Sequence, residues 1–191
     1  MFPLQTHAQA GPHASPHPPG DRLYQESWKL IWRLLCRWTP KPLNPWRLWV
    51  LRRAGAVVEV PCYVDASARI FDPRRLVLRR RSCLGERAEI YNLAPVELCE
   101  ASTVAQGCYL CTGTHDFSAP SLNLQTAPIR IGPGAFLGAR VLVLPGVSVG
   151  ANTVVGAGAV LSRDTDADAI WAGNPARRIR DRPGGPGRRP D

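Results

Sequence analysis

Residues 131–161 read IGPGAFLGARVLVLPGVSVGANTVVGAGAVL, and an aliphatic residue returns at every sixth position: Ile131, Leu137, Val143, Val149, Val155 and Leu161. Four of these are followed by glycine, at Gly132, Gly138, Gly150 and Gly156. Four residues after each stands a small or β-branched side chain: Ala135, Val141, Val147, Thr153 and Ala159. A helix repeats at about 3.6 residues and a strand at 2. A strict period of six is the mark of a hexapeptide β-helix.

The same phase runs upstream. Val58, Val64, Ile70 and Leu76 form one set, Leu78, Leu84, Ile90 and Val96 the next, and Leu98, Val104 and Leu110 a third. The frame slips by two residues at Leu76-Val77-Leu78 and Val96-Glu97-Leu98, and the triplet Ile129-Arg130-Ile131 restarts the last block. Three hexapeptides make a triangular coil of about 18 residues, so the slips predict a two-residue insertion at a corner, once per coil. The position four after each aliphatic holds Cys62, Ala68, Ser82, Ala88, Ala94, Ser102, Cys108 and Thr114, small enough for three faces converging on a narrow axis. Arg74 breaks this rule beside Pro73, which predicts a distorted corner. Roughly five coils at about 4.8 Å give a prism of about 24 Å, whose ends need caps. The predicted fold is an all-β solenoid, a parallel β-helix over residues 56–176 with a loop extruded at 117–128. An N-terminal helical cap segment (21–55) precedes it and a short basic C-terminal tail (177–191) follows.

The net charge of +9 belongs to the flanks. Lys and Arg outnumber acids by 8 to 2 in residues 21–55 and by 6 to 2 in 177–191, whereas the repeat carries 10 against 11. A neutral body lacks the basic stripe that nucleic-acid binding needs, so no nucleic-acid partner is expected. Residues 1–20, rich in Pro, His, Ala and Gly, read as a disordered tail without the pattern of a signal peptide. His7, His13 and His17 form at most a loose metal-binding tract there. Leu23–Trp38 reads as a helix with Tyr24, Trp28, Ile31, Leu35 and Trp38 on one face, stopped by Pro40. Five of the six tryptophans lie between 28 and 49, interleaved with arginines and Lys29. This segment either caps the first coil or lies on an anionic membrane surface, and it is too charged to span one. Among the six cysteines, Cys62 and Cys108 fall at inward positions. The lone CxxC, Cys108 to Cys111, offers two of the four ligands zinc wants, so no metal is expected. Reduced thiols suit a cytoplasmic protein.

One histidine lies inside the repeat: His115, in Cys111-Thr112-Gly113-Thr114-His115-Asp116, followed by the irregular stretch Phe117–Pro128. If Thr114 takes the inward slot, His115 falls outside the core, beside a loop extruded from a rigid scaffold, where function concentrates. The repeats, this CTGTHDF segment, the loop ending in PIRIG at 128–132 and AGNPAR at 172–177 resemble the hexapeptide acyltransferases. Within them, the chain is most similar to the colanic acid biosynthesis acetyltransferases over roughly residues 23–180.

That resemblance implies left-handed coiling, against the usual right-handed crossover. It implies a homotrimer with sites between subunits and acetyl-CoA as co-substrate, and makes His115 the catalytic base. Asn92 and Asp116 would lie near the acceptor. Phe136, where relatives carry Trp, would meet the pantetheine arm; Gly138, Ala139, Ala157 and Gly158 would let that arm approach the backbone. Arg163, Arg177 and Arg180 would meet the nucleotide phosphates. The acceptor would be a sugar or glycolipid hydroxyl, too weak a nucleophile until a general base takes its proton. The tautomer of the imidazole would be held by Asp116 or by a backbone carbonyl. Other readings are acetylation of a small free sugar or xenobiotic, and a non-catalytic β-helix scaffold. A zinc β-helix would need three His ligands, and the repeat holds one.

Overall fold

Every aliphatic residue of the six-residue phase is buried, and each lies in a strand of two or three residues. In the computed structural model, which describes residues 1–8 and 19–183, these strands stack in parallel register on three faces. The first face stacks Val57–Val58, Leu76–Leu78, Val96–Leu98, Ile129–Ile131 and Ser148–Val149. The second stacks Tyr63–Val64, Cys83–Leu84, Thr103–Val104, Phe136–Leu137, Val154–Val155 and Ala169–Ala172. The third stacks Arg69–Ile70, Glu89–Tyr91, Tyr109–Cys111, Leu142–Val143 and Val160–Leu161. Equivalent aliphatics thus sit directly on one another, as Val64, Leu84, Val104, Leu137 and Val155 do.

The frame slips do not fall at a corner. Leu76 and Leu78, Val96 and Leu98, and Ile129 and Ile131 are all buried. The two extra residues lengthen the first face, because alternation along a strand turns both ends of a triplet inward. The outward middle residues Glu97 and Arg130 are paired at 3.3 Å, and Arg79 bridges Glu59 at 2.7 Å and Glu97 at 2.8 Å. The corner at Arg74 is distorted as expected: Pro73–Arg75 form a 3-10 turn, with the Asp72 carboxylate accepting from the Arg74 amide.

Helix α1 (Pro19–Leu35) begins earlier and ends earlier than the periodicity predicts. Its last carbonyls are taken by indoles, Trp38 Nε1 donating to Leu34 and Trp46 Nε1 to Leu35. The buried face is also rotated from the predicted one: Gln25, Trp28, Trp32 and Cys36 face the solenoid, while Ile31, Leu35 and Trp38 are exposed. Apolar residues on both sides of this helix made the face ambiguous. Trp28 fixes it by donating to the Ile70 carbonyl at 2.8 Å.

A second helix, α2 (Asn44–Arg53), closes the first coil. Its Arg47 is fully buried and is no surface cation: Nε donates to Val64 O at 2.8 Å and Nη1 to Thr39 Oγ1 at 2.9 Å and Pro40 O at 3.0 Å. Arg52 likewise donates to Val58 O. These guanidinium groups satisfy carbonyls that the bottom coil would leave open.

Both termini depart from the expected tails. Gln5–His7 form a strand paired antiparallel with Leu124–Thr126, because the extruded segment offers them an open edge. His7 Nε2 lies 2.9 Å from Thr126 Oγ1; the expectations for His13 and His17 fall outside the described residues. At the other end, Arg177–Asp181 form a strand antiparallel to Ala169–Ala172, covering the top edge of the second face. Residues 184–191 lie outside the described range.

Candidate functional site

After the third-face strand Tyr109–Cys111 the chain leaves the coil at Thr112. That side chain is buried; its hydroxyl donates to Tyr91 O and accepts from the Ala94 amide, each at 3.0 Å. Gly113–His115 then pair antiparallel with Leu124–Thr126, and Ala127 N returns to Thr112 O at 3.0 Å. The segment predicted as an irregular loop over 117–128 is therefore a hairpin with a tip at 117–123, and Gln5–His7 make it three-stranded. Thr114, paired opposite Gln125, is half-buried rather than inward.

His115 ends the hairpin's first strand and is exposed. Its Nδ1 lies 2.7 Å from the carbonyl oxygen of Leu122. A carbonyl only accepts, so Nδ1 carries the hydrogen and Nε2 keeps its lone pair for a substrate proton. Leu122 stands at φ +48°, a left-handed conformation that costs a non-glycine residue about 1–2 kcal/mol. It aims the carbonyl back at the imidazole. Sequence reasoning missed this residue, since nothing in its type marks it.

Two predicted acceptor residues have other work. The Asp116 Oδ1 accepts from Ser118 N at 3.0 Å and Ser118 Oγ at 2.6 Å, bonds that hold its carboxyl below the usual range. It shapes the hairpin tip, and the Leu122 carbonyl orients the imidazole instead. Asn92 is fully buried, its Oδ1 accepting from Asp72 N at 2.9 Å and its Nδ2 donating to Asp72 O at 2.6 Å. With donor and acceptor both spent on the corner below, it is not placed to touch an acceptor sugar. Asn92 and Thr112 occupy equivalent corners, and both tie one rung to the previous one.

The predicted coenzyme residues form a column at the corner between the second and third faces. Phe136 is exposed beside Val154; Gly138 N donates to Val155 O at 2.8 Å, and Gly158 N to Ala139 O at 2.9 Å. At Gly138 a Cβ would lie 2.8 Å from Ala157 N, so the coil above already requires glycine there. A Cβ on Gly158 would meet nothing within 4 Å, and Ala157 is exposed, leaving this part of the column accessible. Arg177, paired opposite Ala172, stands just above it. Arg163 lies beyond the third-face strand Val160–Leu161, at the far corner, and Arg180 pairs opposite Ile170. The structure thus brings together Phe136, Gly138, Ala139, Ala157, Gly158 and Arg177, stacks Arg180 above Phe136 through Val154 and Ile170, and leaves Arg163 and His115 apart from them.

Cys36 and Cys62 are pushed up to about 11 by burial, which keeps both as inert thiols at neutral pH. Among the described residues no group of three or more His, Cys, Asp or Glu side chains is arranged to hold a metal ion.

The bacterial transferase hexapeptide (six repeats) family matches residues 128–163. The solved hexapeptide-repeat acetyltransferase VCA0836 of Vibrio cholerae, in complex with acetyl coenzyme A, superposes with a TM-score of 0.78 at 18% identity, covering 91% of this chain and 94% of that one. A galactoside acetyltransferase in complex with coenzyme A gives 0.74 at 19% identity, over 88% and 86%. Coil and superpositions together define a hexapeptide-repeat β-helix of the fold seen in these acetyltransferases. WcaF of Escherichia coli (strain K12), described as a colanic acid biosynthesis acetyltransferase, is 32% identical over 163 residues, 85% of this chain and 90% of its own. The chain belongs to that family.

Proposed function

We propose that the protein is an acetyl-CoA-dependent O-acetyltransferase acting on a sugar hydroxyl of an exopolysaccharide or capsule intermediate, with His115 as general base. The observation that carries this reading is the imidazole fixed through Nδ1 with Nε2 free, on a rigid hairpin. As the hydroxyl oxygen attacks the thioester carbonyl, Nε2 takes its proton. The tetrahedral intermediate collapses, the carbon–sulfur bond breaks, and the imidazolium returns the proton to the departing thiolate. No acyl-enzyme is needed, since holding both substrates together supplies much of the acceleration. The coenzyme-bound acetyltransferases of the same fold, the galactoside in the name of one of them, and a maltose O-acetyltransferase of that fold from Clostridium difficile support the choice of substrates.

The third face separates His115 from the coenzyme column, so one chain does not assemble both halves of a site. In the homotrimer proposed here, a second copy supplies the column beside His115, so that the sites lie between subunits. α1 turns Leu30, Leu34 and Trp38 outward, 56%, 59% and 70% exposed, among exposed Arg33 and Arg37. That surface suits peripheral contact at the cytoplasmic leaflet.

The test is release of free thiol from acetyl-CoA by the purified protein with a panel of glycan acceptors. Transfer to glycans supports the reading, and a preference for small amines or antibiotics moves it to the xenobiotic class. Absence of acetyl-CoA binding in calorimetry overturns it in favour of a scaffold. Co-sedimentation with anionic vesicles, lost on Leu30→Ser/Leu34→Ser/Trp38→Ser, tests the membrane contact; equal sedimentation of that variant defeats it.

A further inference from the structure

Between α1 and the lower rungs of the third face lies a groove of about 660 Å³ that the acetyl-transfer chemistry does not use. Its floor is apolar and aromatic, with Trp28 and Trp32 from the helix and Phe71 and Tyr91 from the solenoid. Its rim is cationic, with Lys29 and Arg33 on α1, Arg37 in the turn after it, and Arg69 from the solenoid. Glu89, the acid lining it, lies 3.8 Å from Arg69, and Lys29 is paired with Glu26 at 2.6 Å. Arg33 and Arg37 have no ion pair or hydrogen bond to a side chain among the described residues, and both are exposed. Trp32 is only 6% exposed, and its indole N–H has no acceptor among the described residues. That N–H is closed off from the groove, so the polar groups offered to a ligand are those of the rim.

Arg33 lies in the last turn of α1 and Arg37 in the turn that follows, both lining the groove, and each guanidinium can grip a phosphate through two parallel N–H bonds. The groove also leads toward the transfer site. Tyr91 pairs opposite Cys111, and its ring lies 3.7 Å from the Cβ position of Gly113, two residues before His115.

We propose that this groove receives the phosphate of a phosphorylated acceptor. Arg33 and Arg37 hold a phosphate or diphosphate ester against the aromatic floor, and the sugar it carries reaches toward His115. This deepens, and rests on, the reading of the protein as a sugar acetyltransferase. The phosphate can be borne by a soluble sugar phosphate or by a lipid headgroup, and binding measurements separate the two.

The experiment titrates the full-length protein with inorganic pyrophosphate in calorimetry, in the presence of coenzyme A. Arg33→Ala/Arg37→Ala should weaken binding at least about tenfold, as expected for two charge-assisted contacts. Unchanged affinity in the double variant overturns the proposal, and so does an equal loss in Arg177→Ala, which would assign the anion to the coenzyme column. Binding of a hexose 1-phosphate without vesicles identifies a soluble source. Capture by vesicles of phosphatidic acid, but not by equally charged phosphatidylserine or by phosphatidylcholine, and retained in Leu30→Ser/Leu34→Ser/Trp38→Ser, identifies a lipid-borne one. Either supports the groove if the double variant loses it, and neither binding overturns it. Acetylation of neutral sugars as fast as their phosphates, unaffected by Arg33→Ala/Arg37→Ala, overturns the groove and leaves the transferase reading standing. Pyrophosphate held by Arg33 and Arg37 in a protein that transfers no acetyl group leaves the anion site and overturns the reading beneath it.

Discussion

The Leu122 carbonyl decides what His115 can do. It fixes the hydrogen on Nδ1 at 2.7 Å and so commits Nε2 to accepting. His115→Ala should fold normally, because the side chain is exposed, and lose about 10²–10⁴-fold in kcat, the range for a positioned general base. Near-normal turnover would remove it from the mechanism. Leu122→Gly is a sharper probe. Glycine adopts φ +48° without strain and keeps the carbonyl, so kcat should hold while thermal stability stays level or rises. A collapse of kcat would mean the side chain, not the backbone, does the work. Elsewhere, Glu97 is held below the usual carboxylate range by its hydrogen bond from Arg79, against an opposing desolvation, with Arg130 adding to the lowering. A depressed carboxylate stabilises the fold above its unfolded pKa, about 4.3, and loses that contribution as pH falls through the lower folded value. Urea midpoints of Glu97→Gln and the parent should therefore converge below about pH 4 and separate above it. A constant gap at all pH values would refute the linkage.

At the scale of elements, the repeat was readable because each hexapeptide restates the same instruction: aliphatic inward, small side chain on the axis. Even the breach at Arg74 was legible, since Pro73 and an inward arginine cannot both obey the coil. The hairpin was not. Val77, Glu97 and Arg130 announce their strands by alternation, but Gly113–His115 and Leu124–Thr126 carry no aliphatic repeat, and the third strand, residues 5–7, pairs across more than a hundred positions and leaves no local trace. The site was half legible. His115 stood out by being the one histidine in a periodic frame, whereas Asn92 matched a motif while its amide was spent on Asp72. Arg47 looked like one more surface cation and proves to be a plug for carbonyls. Arg47→Leu should cost on the order of 3 kcal/mol, since it leaves several buried acceptors unpaired. A variant melting within a degree or two of the parent would show those carbonyls to be hydrated.

For the molecule as a whole, the proposed homotrimer, with His115 of one copy beside the coenzyme column of another, makes activity depend on assembly. Dilution below the dissociation range should abolish turnover together with the trimer in sedimentation velocity. A fully active monomer would refute sites shared between copies. Within the assembly, Ala157→Leu should raise the KM for acetyl-CoA by filling the accessible part of the column, and an unchanged KM would move the groove elsewhere.

The two lids of the solenoid are built differently. A helix with a buried arginine closes one end, and an antiparallel strand, Arg177–Asp181, closes the other. Neither can be restated six residues further along, so the chain cannot lengthen at its ends without losing its seal. A coil can be gained or lost only in the interior, where every rung presents the same register to its neighbours. Such a duplication or deletion would leave both lids intact while moving the hairpin by one rung against the anion groove. The number of coils between α1 and His115 is therefore a ruler, and its graduation is the reach of the acceptor.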